Sequence, residues 1–216
     1  MTGISPAAIS IDLFGTLVRF DRPEAPAAAI ADQLERREIA IPDDWDELYH
    51  FPQKLVEPGR EQSLTEHVTL ILNDSPKTNT VDIEQPTIEA AVREAFETPV
   101  ETPPEAVSFV EECAERFPTG VLSNCSVPGL VECVLSRSGL DETRFDAVVT
   151  SVDCGWRKPH SRAFEIVAEQ LNASPADMVH IGDTVETDGG ITDIGGERII
   201  ITNPSDLAEV NVSRWN

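Results

Sequence analysis

Three apolar segments of this chain each lead to a polar residue at a predicted strand end. The segments are residues 7–11, within a strand predicted over 7–13, then residues 120–122 and 178–181, and the polar residues are Asp12, Ser123 and Asp183. Strands that alternate with helices form a parallel sheet covered on both faces, and such a sheet binds ligands beyond the carboxyl ends of its strands. The sequence therefore predicts an α/β fold with a doubly wound parallel sheet and a site at one edge.

The other predicted elements of this unit follow the same alternation. Residues 145–150 and 199–201 form two more apolar segments of strand length. Apolar residues at helical spacing predict one helix through residues 106–113, one after Pro128, and one that begins at Pro159 and continues to Leu171. We expect these helices to cover the sheet and to fix its strands in a parallel arrangement.

Residues 20–98 have a different character, because helical periodicity replaces the alternation. Three helices are predicted from the apolar positions Ala27, Ile30, Ala31 and Leu34, then Leu64, Val68, Ile71 and Leu72, then Ile88, Ala91, Val92 and Phe96. Polar residues 73–86 are predicted to form a loop, and the proline-rich residues 98–104 a linker. The predicted organisation is an α/β core of residues 1–19 and 99–216, with residues 20–98 as a helical cap that has no clear strand.

The charge of the chain excludes several classes of partner. Asp and Glu outnumber Lys and Arg by 39 to 16, the net charge is −23, and only three residues are lysine. An acidic surface stays soluble when salt screens charge, so we interpret the composition as halophilic. The same field disfavours nucleic acid and anionic membranes as partners. We expect a cytoplasmic protein, since no signal peptide or 18-residue apolar stretch is visible.

The four cysteines and four histidines give no strong metal or disulfide signal. No C-x-x-C pair occurs, and the histidines at 50, 67, 160 and 180 are dispersed along the chain. Small buried thiols are the ordinary interpretation of such cysteines. Cys125 lies near a predicted strand end, but no neighbour in the sequence marks it as activated.

Four short segments in order carry a resemblance to a known family. They are Asp12-x-Phe14-Gly15-Thr16, Ser123-Asn124, Gly155-Trp156-Arg157-Lys158-Pro159 and Gly182-Asp183-Thr184-x-x-x-Asp188. Together they resemble the haloacid dehalogenase (HAD) superfamily of hydrolases, across residues 4–20 and 105–202. The resemblance implies a Rossmann-like core, and residues 20–98 stand where that family inserts a cap after the first strand.

The resemblance also implies roles for individual residues. Asp12 would be the nucleophile that forms a covalent intermediate. Ser123, Asn124 and the backbone N–H groups before the following helix would hold anionic oxygens. Lys158 would neutralise charge on Asp12 and on the transferring group. Each of these residues also has a simpler interpretation, namely a turn, a helix cap or an exposed lysine.

A magnesium site is implied at the same strand ends. Asp183 would bind Mg²⁺ together with Asp12 and the backbone carbonyl of Phe14. Two further residues would support these ligands without binding the ion directly. Asp188 would orient a bound water or Lys158, and Thr16 would be the other supporting residue. In the family pattern a Gly-Ala pair usually follows three and four residues after Asp188, whereas Ile191 and Thr192 stand there in this chain. The helix after this motif is therefore expected to be short or displaced.

Phe14 occupies the position where the family usually has a second aspartate as general acid. A positioned acid contributes about 10²–10⁴ in rate, and phenylalanine cannot donate a proton. Three functions stay open: a magnesium-dependent phosphatase acting on a small phosphorylated molecule, a dehalogenase whose halide needs no proton, or a phosphate-binding protein with weak or no turnover. The arginines at 19, 22 and 60 could reach a substrate, although solvent exposure is the simpler expectation. Whether the chain is a monomer or a dimer stays open.

Overall fold

The computed structural model describes residues 5–52, 54–75 and 83–215. Its strands are β1 (Ala8–Ile11), β2 (Arg19–Phe20), β3 (Val100–Glu101), β4 (Thr119–Ser123), β5 (Ala147–Thr150), β6 (Met178–Gly182) and β7 (Glu197–Ile200). Its α-helices are α1 (Pro26–Glu35), α2 (Trp45–His50), α3 (Leu64–Asp74), α4 (Gln85–Ala95), α5 (Pro104–Ala114), α6 (Leu130–Arg137), α7 (Ser151–Cys154), α8 (Ser161–Gln170) and α9 (Val185–Asp188).

A five-stranded parallel sheet in the order β5-β4-β1-β6-β7 organises the molecule. Strand β1 is central, so its apolar residues are buried on both faces, as parallel sheets require. Ile9 and Ile11 belong to one buried cluster, together with residues of α5 and α6. Ala8 and Leu122 belong to a second cluster built around Phe164 of α8. The predicted α/β fold with helices on both faces is confirmed.

Helices α1 to α4 fall within residues 20–98, where the sequence predicts a helical cap. Helix α1 packs along α4, and α3 also contacts α4. Trp45 of α2 donates a hydrogen bond from Nε1 to the carbonyl of Ala27 at 2.9 Å. The apolar residues of these helices join the same buried cluster as Leu13 and Leu17, which follow β1. The division into cap and core stays a prediction, because this packing is continuous across the proposed boundary.

Several local predictions differ from the structure. The linker at 98–104 contains β3, which pairs antiparallel with β2, so that Arg19 lies opposite Glu101 and Phe20 opposite Val100. The expectation of no strand in residues 20–98 is therefore wrong at Phe20. Helices α2 and α7 were not predicted, because six and four residues are too few to show periodicity. The predicted loop at 73–86 overlaps the end of α3 and the start of α4, and its residues 76–82 lie outside the described residues.

The helical structure around Asp188 is short, as expected from the residues that replace the family's Gly-Ala pair. Helix α9 ends at Asp188, and a 3-10 helix follows over Gly189–Ile194. Across residues 5–52, 54–75 and 83–215, no helix has both the length and the apolar character needed to cross a bilayer.

Candidate active site

The order of the strands brings the predicted site residues to one edge of the sheet. Strands β4 and β6 flank β1, so Ser123 at the end of β4 and Asp183 after β6 lie on either side of Asp12. The backbone N–H of Asp12 donates to the carbonyl of Ile181 at 2.8 Å, which ties the turn after β1 to β6. Parallel pairing of these strands is thus sufficient to collect residues that are 171 positions apart in the chain.

Lys158 links two of the carboxylates. Its Nζ donates to Oδ1 of Asp12 at 2.7 Å and to Oδ1 of Asp188 at 2.6 Å, and the lysine is only 2% exposed. Asn124 holds the loop that carries it: the Asn124 amide donates to the carbonyl of Lys158 at 2.9 Å and accepts from its N–H at 2.8 Å. The side chain of Asn124 therefore fixes residues 155–160 between α7 and α8, which we call the lysine loop. The contact of Asn124 with substrate that the resemblance implies stays a prediction.

Three carboxylates converge beside Lys158. Asp12, Asp183 and Asp188 each offer an oxygen, and these oxygens all lie within 4.8 Å of one another. Two glycines make the approach possible. A Cβ on Gly15, whose φ is +87°, would overlap the carboxylate of Asp183, and a Cβ on Gly182 would overlap that of Asp188.

The charges of this group favour a divalent cation. Three carboxylates beside one lysine leave a net charge of −2 when all are ionised, and oxygen ligands of this kind suit Mg²⁺. Burial raises the pKa of Asp12 to about 6 although Lys158 opposes it, and burial together with the charge of Asp188 raises the pKa of Asp183. These raised pKa values mean that the carboxylates of Asp12 and Asp183 are under-compensated by the protein alone. The donor set therefore fits the divalent ion that the resemblance implies.

Asp188 differs from its neighbours, because it is fully engaged by the protein. Its Oδ1 accepts from Lys158 and lies 3.1 Å from Nε2 of His180, and its Oδ2 accepts from the N–H of Thr184 at 2.9 Å. Burial opposes ionisation, but the hydrogen bond from His180 and the charge of Lys158 outweigh it and hold the pKa of Asp188 well below its usual range. Burial would likewise lower the pKa of Lys158, but Asp12 and Asp188 raise it.

His180 and Ser10 are parts of the site that sequence reasoning missed. Both are fully buried, and Ser10 Oγ lies 2.8 Å from Nδ1 of His180. Burial lowers the pKa of His180 to about 4, so its ring is neutral at pH 7. A signal was present in the sequence: each is a polar residue in an otherwise apolar strand, two positions before Asp12 or Gly182 and therefore on the same face of its strand.

Ser123 and Thr16 place hydroxyl groups that the protein leaves unengaged. Both residues are buried, and neither Ser123 Oγ nor Thr16 Oγ1 has a hydrogen-bond partner among the described residues. For Ser123 this suits the predicted contact with a bound anion, since a buried hydroxyl without a partner is costly. Thr16 makes no hydrogen bond to Asp12, so its supporting role stays a prediction. The N–H of Cys125 is already engaged by Oγ of Ser151 at 2.9 Å.

An open cavity of about 450 Å³ lies over Asp12 and Lys158. The ring of Phe14 forms part of its wall and contacts the ring of Phe20, with centroids 4.9 Å apart. A second cavity of about 220 Å³ continues from the same wall towards the helical segment. Arg22 and Arg157 line both cavities. The site thus has an acidic floor, an aromatic wall and two arginines near its opening.

Residues 59–61 bind the helical segment to the lysine loop. The carbonyl of Gly59 accepts from the N–H of Arg157 at 2.9 Å, and Glu61 accepts from Oγ of Ser151 at 2.6 Å. Arg60 lies over the ring of Trp156, 4.1 Å from its centroid. Arg60 therefore contacts Trp156, whereas the sequence led us to expect a simply solvated arginine.

Arg19 is engaged elsewhere, because it pairs with Glu101 across the β2–β3 ribbon at 2.8 Å. Its side chain is 43% exposed and does not line the cavity over Asp12. Of the three arginines considered from the sequence, Arg22 is the one whose residue lines that cavity.

Solved structures of similar fold cover nearly all of the chain. A 2-haloacid dehalogenase from Pseudomonas syringae pv. Tomato DC3000 is 21% identical with a TM-score of 0.68, covering 98% of this chain and 100% of that one. CbbY from Rhodobacter sphaeroides in complex with phosphate is 15% identical with a TM-score of 0.61, covering 97% and 99%. A HAD phosphatase from Thermococcus onnurineus is 19% identical with a TM-score of 0.56, covering 90% and 85%. At these identities the likeness establishes the fold.

The sequence comparisons establish the family. Haloacid dehalogenase-like hydrolase domain-containing protein 3 of Bos taurus is 35% identical over 78 residues, 36% of this chain and 31% of that protein. The chain thus spans about a third of the length of the curated relative it matches. A family model described as haloacid dehalogenase-like hydrolase matches residues 6–189, most of the chain. With this match, the chain belongs to the haloacid dehalogenase-like hydrolases.

Proposed function

We propose that the chain is a magnesium-dependent phosphatase that acts on a small phosphorylated molecule. The observation that carries this proposal is the convergence of oxygens from Asp12, Asp183 and Asp188 within 4.8 Å of one another, beside Lys158. A cluster with excess negative charge repels a phosphate unless a cation joins it, and phosphoryl transfer uses a divalent ion to offset that repulsion. Displacement of a halide from carbon has no such requirement.

Asp12 is the proposed nucleophile. Its carboxylate attacks phosphorus, the bond to the leaving oxygen breaks, and an aspartyl-phosphate forms that water then hydrolyses to inorganic phosphate. Lys158 fixes the carboxylate through its 2.7 Å contact and supplies positive charge to the reacting centre. We assign Ser123 Oγ, which is fully buried and has no hydrogen-bond partner among the described residues, as a donor to a phosphate oxygen. Asp12, Asp183 and the carbonyl of Phe14 would hold Mg²⁺, which when bound neutralises charge on the phosphate.

The rim of the cavity supports an anionic substrate. Arg22 and Arg157 line the cavity over Asp12, and both residues are exposed, whereas the floor is formed by carboxylates. Arg157 also lies 3.7 Å from Glu61, so Arg22 contributes the larger part of the positive charge at the opening. The chain as a whole has a net charge of −23 and repels anions. Positive charge at the opening of this cavity makes it a more favourable place for a phosphate to approach than the rest of the surface. The partner is accordingly proposed to be a small phosphorylated metabolite.

The absence of a proton donor at Phe14 restricts which leaving groups the site can expel efficiently. Because phenylalanine donates no proton, substrates with good leaving groups, such as acyl phosphates and anhydrides, should react faster than alkyl phosphates. In Phe14→Asp we expect turnover of alkyl phosphates to rise about 10²-fold or more, while Phe14→Leu, the matched apolar control, gives no gain. Equal lack of gain in both variants would show that another group already supplies the proton.

The decisive assay is release of phosphate from a panel of phosphorylated metabolites in molar KCl, with Mg²⁺ or with EDTA. We expect magnesium-dependent release that Asp12→Asn abolishes and that Asp32→Asn, a change of an exposed aspartate on α1, leaves intact. Release that persists in Asp12→Asn contradicts the proposed nucleophile. Tight binding of one phosphorylated compound with no release by the wild type would instead favour a binding protein.

A 2-haloacid dehalogenase is the second candidate, and the aromatic wall favours it. Members of the dehalogenase branch of the family carry an aromatic residue, usually tyrosine, at the position of Phe14. A halide leaving group also needs no proton. Chloride release from a 2-chloro acid in the presence of EDTA, lost in Asp12→Asn, would establish this activity. Lack of chloride release together with magnesium-dependent phosphate release would eliminate it.

A further inference from the structure

A chain of buried polar contacts runs from the centre of the sheet to the nucleophile. It passes from Ser10 on β1 to His180 on β6, then through Asp188 and Lys158 to Asp12, with successive distances of 2.8, 3.1, 2.6 and 2.7 Å. Register explains its inner end, because Ser10 and His180 are direct neighbours across the parallel pair of β1 and β6. The remaining contacts all lead towards the reacting carboxylate.

The chemistry of the partners fixes the direction of these hydrogen bonds. An ionised carboxylate only accepts, so the proton of the neutral His180 ring must lie on Nε2, facing Asp188. Nδ1 is then an acceptor, and the hydroxyl of Ser10 donates to it. Asp188 thereby selects the tautomer, and Ser10, whose hydroxyl can donate or accept, takes the donor role that Nδ1 requires.

The surroundings of His180 hold its ring in place. The ring of Phe164 meets it edge to face, with centroids 5.2 Å apart, and both residues are fully buried. Asp188 is equally confined, since there is no space for a Cβ between its carboxyl group and the backbone of Gly182. A donor on His180 is therefore presented to Oδ1 of Asp188, the same oxygen that accepts from Lys158.

We propose that His180 is a positioning residue for hydrolysis: it orients Asp188, and Asp188 in turn directs Nζ of Lys158 at Asp12. The catalytic part of this inference rests on the proposed role of Asp12 and Lys158, whereas the structural part does not. Residues that orient metal ligands from behind typically contribute 10–100-fold to activity, and Asp12, at the end of this series of contacts, is a proposed ligand. We expect such a loss to fall on kcat, because His180 lies below the floor and lines neither of the cavities near Asp12.

The kinetic test compares donor and non-donor replacements. His180→Leu should lower kcat about 10–100-fold with KM within about twofold, while His180→Gln, whose amide can still donate to Asp188, should recover most of the loss. Phe164→Leu is the packing control, since it alters the other side of the ring without removing a hydrogen bond, and should keep kcat near wild type. Unchanged kcat in His180→Leu, or equal losses in the Leu and Gln variants, would overturn the proposal.

A second measurement works even without turnover, because the chain has only three lysines. NMR of isotope-labelled lysine should give three side-chain signals, and the one missing in Lys158→Arg belongs to Lys158. That signal should shift in His180→Leu and remain near its wild-type position in His180→Gln and Phe164→Leu. A shift without any hydrolase activity would refute the proposed function while supporting the positioning role, and an unmoved signal in His180→Leu would refute the role itself.

Discussion

Replacement of Asp12 by asparagine should make the protein more stable while removing its activity. The carboxylate is buried beside two other carboxylates, and its pKa is raised from 3.8 to about 6. Asparagine is close in shape to the protonated acid, so Asp12→Asn removes the penalty of ionising this group in the folded state. Active-site groups held in unfavourable surroundings commonly reduce stability in this way.

The magnitude follows from linkage between protonation and folding. A pKa raised by about two pH units in the folded state costs about 3 kcal/mol of unfolding free energy at neutral pH. Below about pH 3.8 the acid is protonated in both folded and unfolded chains, so the cost is absent. It grows as the pH rises from 3.8 to 6 and is constant above that range. The stabilising effect of Asp12→Asn should follow the same curve.

Denaturation by guanidinium chloride, in EDTA and at constant high ionic strength, measures this effect. We expect Asp12→Asn to be about 3 kcal/mol more stable than wild type at pH 7.5, with the gap narrowing as the pH is lowered towards 4. Asp32→Asn, on the exposed surface, should show no such gap. A variant that is less stable than wild type at pH 7.5, or a gap that does not change with pH, would refute the assignment of Asp12 as an under-compensated buried carboxylate.

Three further outcomes are expected from the same geometry. Gly15→Ala should abolish the response to magnesium in the phosphatase assay, because a side chain at φ +87° is strained and would displace Asp183. The value of kcat/KM at limiting magnesium should fall as the pH drops below about 6, since Asp12 must be ionised to attack, and saturating magnesium should move this limb to lower pH. Thermal unfolding should shift upward as KCl increases from 0.01 M towards 1 M, because salt screens the repulsion within a chain of net charge −23, and an unchanged midpoint would contradict the halophilic interpretation.

Much of the fold was predictable, because strand ends carry a strong local signal. Apolar runs that stop at Asp12, Ser123 and Asp183 give both the parallel sheet and the edge where these residues meet. The β2–β3 ribbon was missed because two residues per strand are too few to show alternation, and its pairing joins residues about 80 positions apart. Local periodicity contains no information about such long-range pairing.

The inner part of the site was missed for a different reason. His180 looks like any dispersed histidine until the register of β1 and β6 places it beside Ser10 and below Asp188. The face of the strand on which His180 lies could be inferred from its position two residues before Gly182. Its partner Ser10 could not, because that contact depends on strand pairing between residues 170 positions apart. The role of Asn124 as a clamp on the lysine loop depends in the same way on tertiary contact.

The attachment of residues 59–61 to α7 and to the loop at 155–160 ties the proposed cap to the loop that carries Lys158. A helical insertion anchored only at its two ends can lengthen, shorten or be exchanged without disturbing the strands beneath it. Here the loop that carries Lys158 donates a hydrogen bond from the N–H of Arg157 to the carbonyl of Gly59 and accepts one at the carbonyl of Gly155 from the N–H of Glu61. Arg60 lies over the ring of Trp156 in the same loop. A different helical segment grafted onto this sheet would therefore need to supply equivalent contacts to hold the loop that carries Lys158 in place.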